Sequence, residues 1–146
     1  LSLLAAGVAT PAPLAWFEVI RHGLVSASYL ITEFSPAPTL HTLLVKQQVS
    51  APEWQRITRL VRDFIDRLHA LGFTHGDVKH TNFLFDGSGL AIIDLDALEV
   101  GAPPRRFARK RAKDRAALAN RIEADPVEYV RRARNGLNIP DASIRQ

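Results

Sequence analysis

The chain has 146 residues, 47% of them hydrophobic and 23% charged, enough for one domain or one large lobe with a buried core. It holds no cysteine, which excludes disulfides and thiolate metal sites, and no apolar run near the ~18 residues needed to cross a bilayer. The net charge of +4 is uneven: residues 1–100 carry 7 Lys/Arg against 10 Asp/Glu, and residues 101–146 carry 12 against 5. There is no methionine, even at position 1, so a natural N-terminus upstream of Leu1 is expected. The opening LSLLAAGVATPAPLAW is apolar, but it lacks a basic flank and is broken by Pro11 and Pro13, which argues against a signal peptide.

In chain order, residues 1–6 read as the end of a helix, stopped by Gly7. Leu14 to Ile20 and Val25 to Phe34 are rich in aromatic and β-branched residues, and RHG between them predicts a hairpin. SPAP at 35–38 ends the second strand, because proline cannot donate to a ladder. Thr39 is an N-cap for a short helix through about Lys46. Ile57, Leu60, Val61, Phe64, Ile65, Leu68 and Leu71 lie on one face of a helix predicted over 53–71, with Pro52 and Glu53 at its start and Gly72 at its end. Phe83 to Phe85 and Leu90 to Ile93 are short strands joined by DGSG. A helix is expected over about 107–124, and Asp125-Pro126 begins another to about Arg134. The polar tail from Asn135 is expected to fray.

Two polar clusters sit at the ends of short apolar elements: HGDVKHTN at 75–82 and IIDLD at 92–96. Such placement lets a rigid base hold Asp77, Asn82 and Asp94 in one cleft. Asp and Asn oxygens are the hard ligands that Mg²⁺ prefers. Asp77 would remain available to orient a hydroxyl and take its proton.

His75, Asp77, Lys79 and Asn82 resemble the catalytic loop of protein-kinase-like enzymes, and Asp94 falls where those enzymes keep a metal-binding Asp. The form HGD-x-K-x-x-N, followed by a hairpin and IDLD, looks most like the lipopolysaccharide kinase family of bacterial Kdo and heptose kinases. The resemblance implies an α+β, protein-kinase-like fold, mainly the helical large lobe (35–146), with the last strands of the small lobe at 1–34. It implies ATP and Mg²⁺ as cofactors, Asp77 and Lys79 as catalytic groups, and Asn82 and Asp94 as metal ligands. Glu33, Phe34 and Ser35 would offer hinge groups to adenine. His75 is expected to pack under the loop, and Asp114 could hold the loop's backbone from a later helix or merely balance its arginines.

The acceptor implied is a sugar hydroxyl of lipopolysaccharide inner core, and the location cytoplasmic, at most peripheral on the inner face of the bacterial inner membrane. The basic run RRFARKRAKDR at 105–115 would face anionic lipid or substrate. Nucleic acid is not expected, since Phe107 is the only aromatic there. Departures from the kinase pattern bear on function. Gly76 stands in place of Arg in the usual triplet, which argues against control by a phosphorylated activation loop. Leu95-Asp96 replaces Phe-Gly, so Asp96 is a candidate for an added metal or supporting contact. No glycine-rich loop or strand lysine precedes the catalytic loop, so weak or no activity is expected of this chain alone. The alternatives are a small-molecule or protein kinase, and a non-catalytic pseudokinase or truncated lobe that binds without catalysis. His22, His41 and His69 read as surface or satisfied residues; His80, inside the loop, reads as solvent-facing, with contact to substrate as the alternative.

Overall fold

A computed structural model describes residues 2–46 and 49–136. The short helix α1 (Ser2–Ala5) turns at Gly7 into the hairpin β1 (Pro13–Arg21) and β2 (Leu24–Thr32). His22 and Gly23 form its two-residue loop with φ of 52° and 78°. That double left-handed conformation matches the right-handed twist of the strands it joins. The sequence placed these strands one to two residues off, and Glu33 and Phe34 lie beyond the ladder. Both faces of the hairpin are exposed: Trp16, Leu24 and Leu30 keep 64%, 74% and 53% of their surface.

Helix α2 (Leu40–Lys46) follows, and α3 (Ala51–Ala70) is the spine of the fold. Ser50 caps α3 by accepting a hydrogen bond from the Glu53 N–H, and Ser-x-x-Glu is the capping-box pattern. Ile57, Val61, Ile65 and Leu68 are buried along one stripe, as the periodicity predicts; Trp54 joins them, and Leu71 does not, because it caps the end of the helix and is 41% exposed. The helix begins two residues before the predicted start because Pro52 is tolerated in its first turn, where its missing N–H has no intrahelical partner.

Two antiparallel pairs are then nested. The outer pair is β3 (Phe73–Thr74) with β6 (Glu99–Val100), and the inner pair is β4 (Phe83–Phe85) with β5 (Leu90–Ile92). Nesting forces the two connecting segments, 75–82 and 93–98, to run side by side at one end. Asp86 accepts from the Ser88 and Gly89 N–H groups and closes the tight inner loop.

Helix α4 (Pro104–Ala117) starts and ends earlier than predicted. It passes into a π-helical turn, Leu118–Ile122, closed by the Glu123 N–H on the Leu118 carbonyl at 3.0 Å. Helix α5 (Pro126–Gly136) comes last. The expectation for the tail concerns residues largely outside those described. Phe83, Leu40, Ile57, Ile65, Leu68, Ile92 and Ile122 are fully buried in a core shared by α2, α3, the inner hairpin and the π-helical turn.

Ile65 has no exposed surface, whereas Leu24 on the hairpin keeps 74%. Ile65→Ala should therefore cost about 2–5 kcal/mol in urea unfolding, and Leu24→Ala should stay within about 0.5 kcal/mol. Equal costs would contradict this placement of the core.

Candidate active site

The loop from His75 to Asn82 is built from below. Asp114, on α4 and 1% exposed, accepts the backbone N–H groups of His75 and Gly76, each at 2.8 Å. Its Oδ2 also meets His69 Nε2 at 3.1 Å. Burial pushes the Asp114 carboxyl up, but hydrogen bonds from His69, Gly76 and His75 outweigh it and hold the group below its usual range. Of the two sequence readings of Asp114, the structure realises the one that holds the loop backbone.

Gly76 sits at φ +83°, and a Cβ there would come 2.6 Å from the Ala97 carbonyl oxygen. Only glycine fits, because the loop presses on the segment after Asp94 and its backbone is left-handed. Lys113 donates to the Gly76 carbonyl at 2.9 Å. His75 is fully buried against Phe83, and burial depresses its pKa. It packs under the loop, as expected from the sequence.

Asp77, Lys79, Asn82 and Asp94 come together above this base. The Lys79 ammonium lies 2.5 Å from Asp77 Oδ2 and 3.6 Å from Asp94 Oδ2. Asn82 Nδ2 donates to the Asp77 carbonyl at 3.0 Å and reaches Asp77 Oδ2 at 3.3 Å. The Ile93 N–H donates to the Asn82 carbonyl at 3.0 Å, which fixes Asn82 in register one residue before Asp94. The Lys79 hydrogen bond, helped by Asn82 and Arg121, holds the Asp77 carboxyl below its ordinary value and so anionic at neutral pH. The same contact raises Lys79. Asp94 has φ +60°, one of two described non-glycine residues with positive φ, and its side chain stays 44% exposed.

The donor chemistry fits a magnesium ion. Asp94 offers a hard carboxylate met by Lys79, and Asn82 Oδ1 is met by the Thr81 hydroxyl. Among the described residues no three His, Asp or Glu converge on one point. Asn82 and Asp94 would suit an ion that completes its shell with phosphates and water. Asp96 is exposed and lines a separate polar cavity with Gly76, Arg106, Lys110 and Lys113.

At the far edge, the Glu33 N–H is bonded to the Ala12 carbonyl at 2.9 Å, Phe34 is 90% exposed, and the Ser35 hydroxyl accepts from the Ala37 N–H. The basic run divides. Arg106 and Lys110 pair with Glu99, Arg115 pairs with Asp66, and Arg105, Arg109 and Arg111 are exposed.

Sequence reasoning missed two residues. His80 is buried, not solvent-facing. Its ring stacks on Trp54 at 5.7 Å and packs on Tyr129 at 3.8 Å, and Tyr129 bonds His41 Nδ1 at 2.7 Å. Arg121 escaped notice altogether; it donates to the Val78 carbonyl at 3.2 Å and lies 3.5 Å from Asp77 Oδ1.

The family model for "Lipopolysaccharide kinase (Kdo/WaaP) family" matches residues 2–133. The chain is 38% identical over 63 residues to the serine/threonine-protein kinase cot-1 of Neurospora crassa, covering 42% of this chain and 10% of that protein. It is 40% identical over 65 residues to the serine/threonine-protein kinase tricornered of Drosophila melanogaster, covering 42% and 13%. The chain thus spans a small part of these relatives. The kinase PK-1 of Cydia pomonella granulovirus superposes with a TM-score of 0.51 and 19% identity, over 70% of this chain and 38% of that one. The fold is α+β and protein-kinase-like.

Two outcomes follow from the base of the loop. Asp114→Asn puts an amide where buried N–H donors point, so it should cost on the order of 3 kcal/mol or more in urea unfolding. A cost under about 1 kcal/mol would mean that Asp114 does not hold the loop.

Burial, then the charges of His41 and Arg121, lowers the His80 pKa from 6.5 to about 4. Between those values the unfolded chain binds the proton and the folded chain does not. Stability is therefore complete above pH 6.5 and should fall by on the order of 3 kcal/mol as pH drops towards 4. His80→Phe keeps a ring in the stack and should flatten this slope in pH-dependent unfolding, leaving the part due to His75. An unchanged slope would remove His80 as its source.

Proposed function

The chain belongs to the lipopolysaccharide kinase (Kdo/WaaP) family, and we propose that it is an ATP- and Mg²⁺-dependent phosphotransferase acting on a sugar hydroxyl of lipopolysaccharide inner core. One observation carries the reading: the Lys79 ammonium stands between the Asp77 and Asp94 carboxylates, with Asn82 bonded to Asp77. That arrangement offers an anion to a hydroxyl, a cation to a phosphoryl group and oxygen ligands to a metal within one cleft.

In this reading Asp77 accepts a hydrogen bond from the acceptor hydroxyl and takes its proton as the new oxygen–phosphorus bond forms. The bond from the γ-phosphorus to the nucleoside diphosphate breaks, and the diphosphate leaves. The depressed pKa of Asp77 makes it a weak base, so its main work is orientation, with proton transfer late. Lys79 neutralises charge on the phosphoryl group. Asn82 and Asp94 would hold Mg²⁺, which supplies charge neutralisation at the nucleotide phosphates when bound.

We assign residues 1–34 to the small lobe and 35–146 to the large lobe. Backbone groups of Glu33, Phe34 and Ser35 would meet adenine, apart from the Glu33 N–H that Ala12 already occupies. Exposed Arg105, Arg109 and Arg111 would meet anionic lipid, which suits a cytoplasmic enzyme peripheral on the inner membrane. The chain has no glycine-rich loop or strand lysine, so weak or no turnover is expected of it alone.

The test is transfer of labelled γ-phosphate from ATP to purified inner core by the full-length protein in the presence of Mg²⁺. Transfer should occur, and Asp77→Ala should reduce it by about 10²–10⁴-fold. Wild type and Asp77→Ala giving the same background would end this reading.

A further inference from the structure

Lys79 and Arg121, which both reach Asp77, line a cavity of about 560 Å³ together with His80, Asn120, Glu128 and Tyr129 among others. It opens between the catalytic loop and the π-helical turn and α5. It touches none of Glu33, Phe34 and Ser35, the segment proposed for adenine.

Charge in this cavity is mostly committed. Lys79 is held between Asp77 and Asp94. Glu128 is clamped by Arg131 and Arg132, and those hydrogen bonds hold its pKa at about 2. Asp125 accepts the Val127 N–H at the start of α5. Arg121 differs. Among the described residues its one hydrogen bond is to the Val78 carbonyl, its 3.5 Å approach to Asp77 is loose, and its side chain is 53% exposed. A guanidinium has five N–H donors in a planar fork suited to carboxylate or phosphate, so most of this one remains to be used.

Local backbone points the same way. The π-helical turn Leu118–Ile122 inserts a residue and breaks the α-helical register just where Arg121 must swing over the loop. Such turns cost helix stability and often sit at functional sites. Glu123, which closes the turn, is pinned from outside by Arg62 at 2.7 Å. The wall opposite is rigid, because Tyr129 packs on His80 and bonds His41.

We propose that this cavity receives the acceptor and that Arg121 binds an anionic substituent on it, a carboxylate or phosphate, so that a neighbouring hydroxyl meets Asp77. The proposal rests on the phosphotransferase reading above and adds a specificity-determining residue to it. Arg121 selects acidic over neutral sugars by pairing with their charge, and the same contact orients the reacting hydroxyl.

Calorimetric titration of the chain tests this without relying on turnover. The probes are Kdo, a sugar acid; a sugar phosphate; and a neutral heptose. Wild type should bind one or both anionic sugars at least about tenfold more tightly than the heptose. Whichever binds identifies carboxylate or phosphate as the source of the charge. Arg121→Gln should erase the preference, Arg121→Lys should keep part of it, and the charge-matched Arg59→Gln on α3 should leave it intact. Asn120→Glu, at an exposed position lining the same cavity, should weaken anion binding without touching the Val78 contact, and it decides the matter if Arg121→Gln does not fold.

No anionic preference in wild type, or a preference that survives both Arg121→Gln and Asn120→Glu, would overturn the proposal. Transfer from ATP without any such preference would sink this inference alone. Preference without transfer by the full-length protein would sink the kinase reading and leave an anion site.

Discussion

The structure depends first on one buried carboxylate. Asp114 lies in α4, yet its bonds go to the backbone of a loop almost forty residues earlier in the chain. A buried anion is costly unless several donors meet it, and here His69 and the N–H groups of His75 and Gly76 do so. The same bonds satisfy backbone donors that the bend at Gly76 removes from any ladder. Loop and helix therefore stabilise each other, and the acidic group at Asp77 inherits its position from a contact made beneath it.

Position along the loop comes from the nested hairpins. Because β3 pairs with β6 outside β4 and β5, the approach to Asp77 and the exit past Asp94 cannot separate without breaking both pairs. Lys79 then bridges carboxylates from the two segments. In a partly exposed site this bridge adds little stability. Its consequence is electrostatic: it keeps Asp77 ionised and places a mobile positive charge where a phosphoryl group would carry negative charge.

Much of this was legible in the chain. Seven apolar residues at helical spacing identified α3, DGSG identified the inner turn, and the Asp-to-Asn gap in HGDVKHTN identified the loop. What escaped was what depends on contacts distant in sequence. His80 stands among polar residues, and nothing near it reveals that Trp54 and Tyr129 will enclose its ring. Arg121 was hidden because a regular 3.6-residue repeat carried through 118–122 gives the wrong face, and no local signal marks the π-helical turn. The run at 105–115 reads as one charged surface. Folding divides it, since Glu99, Asp66 and the Gly76 carbonyl take Arg106, Lys110, Arg115 and Lys113.

Gly76 and Asp94 place left-handed backbone on both sides of the cleft, and they do so by different means. At Gly76 the missing Cβ relieves both the φ of +83° and the 2.6 Å approach to Ala97. At Asp94 a side chain is needed, so a non-glycine residue holds φ +60°, at a cost of roughly 1–2 kcal/mol that aspartate bears better than most. Surrounding structure must over-determine such a residue for it to persist. The preceding Ile93 N–H is bonded to Asn82, and the β3–β6 pair closes a few residues later. A relaxed extended backbone at this point would continue β5 and send the carboxylate along the strand instead of back toward Lys79. The strain at Asp94 is therefore tied to the geometry that lets one lysine touch both acids.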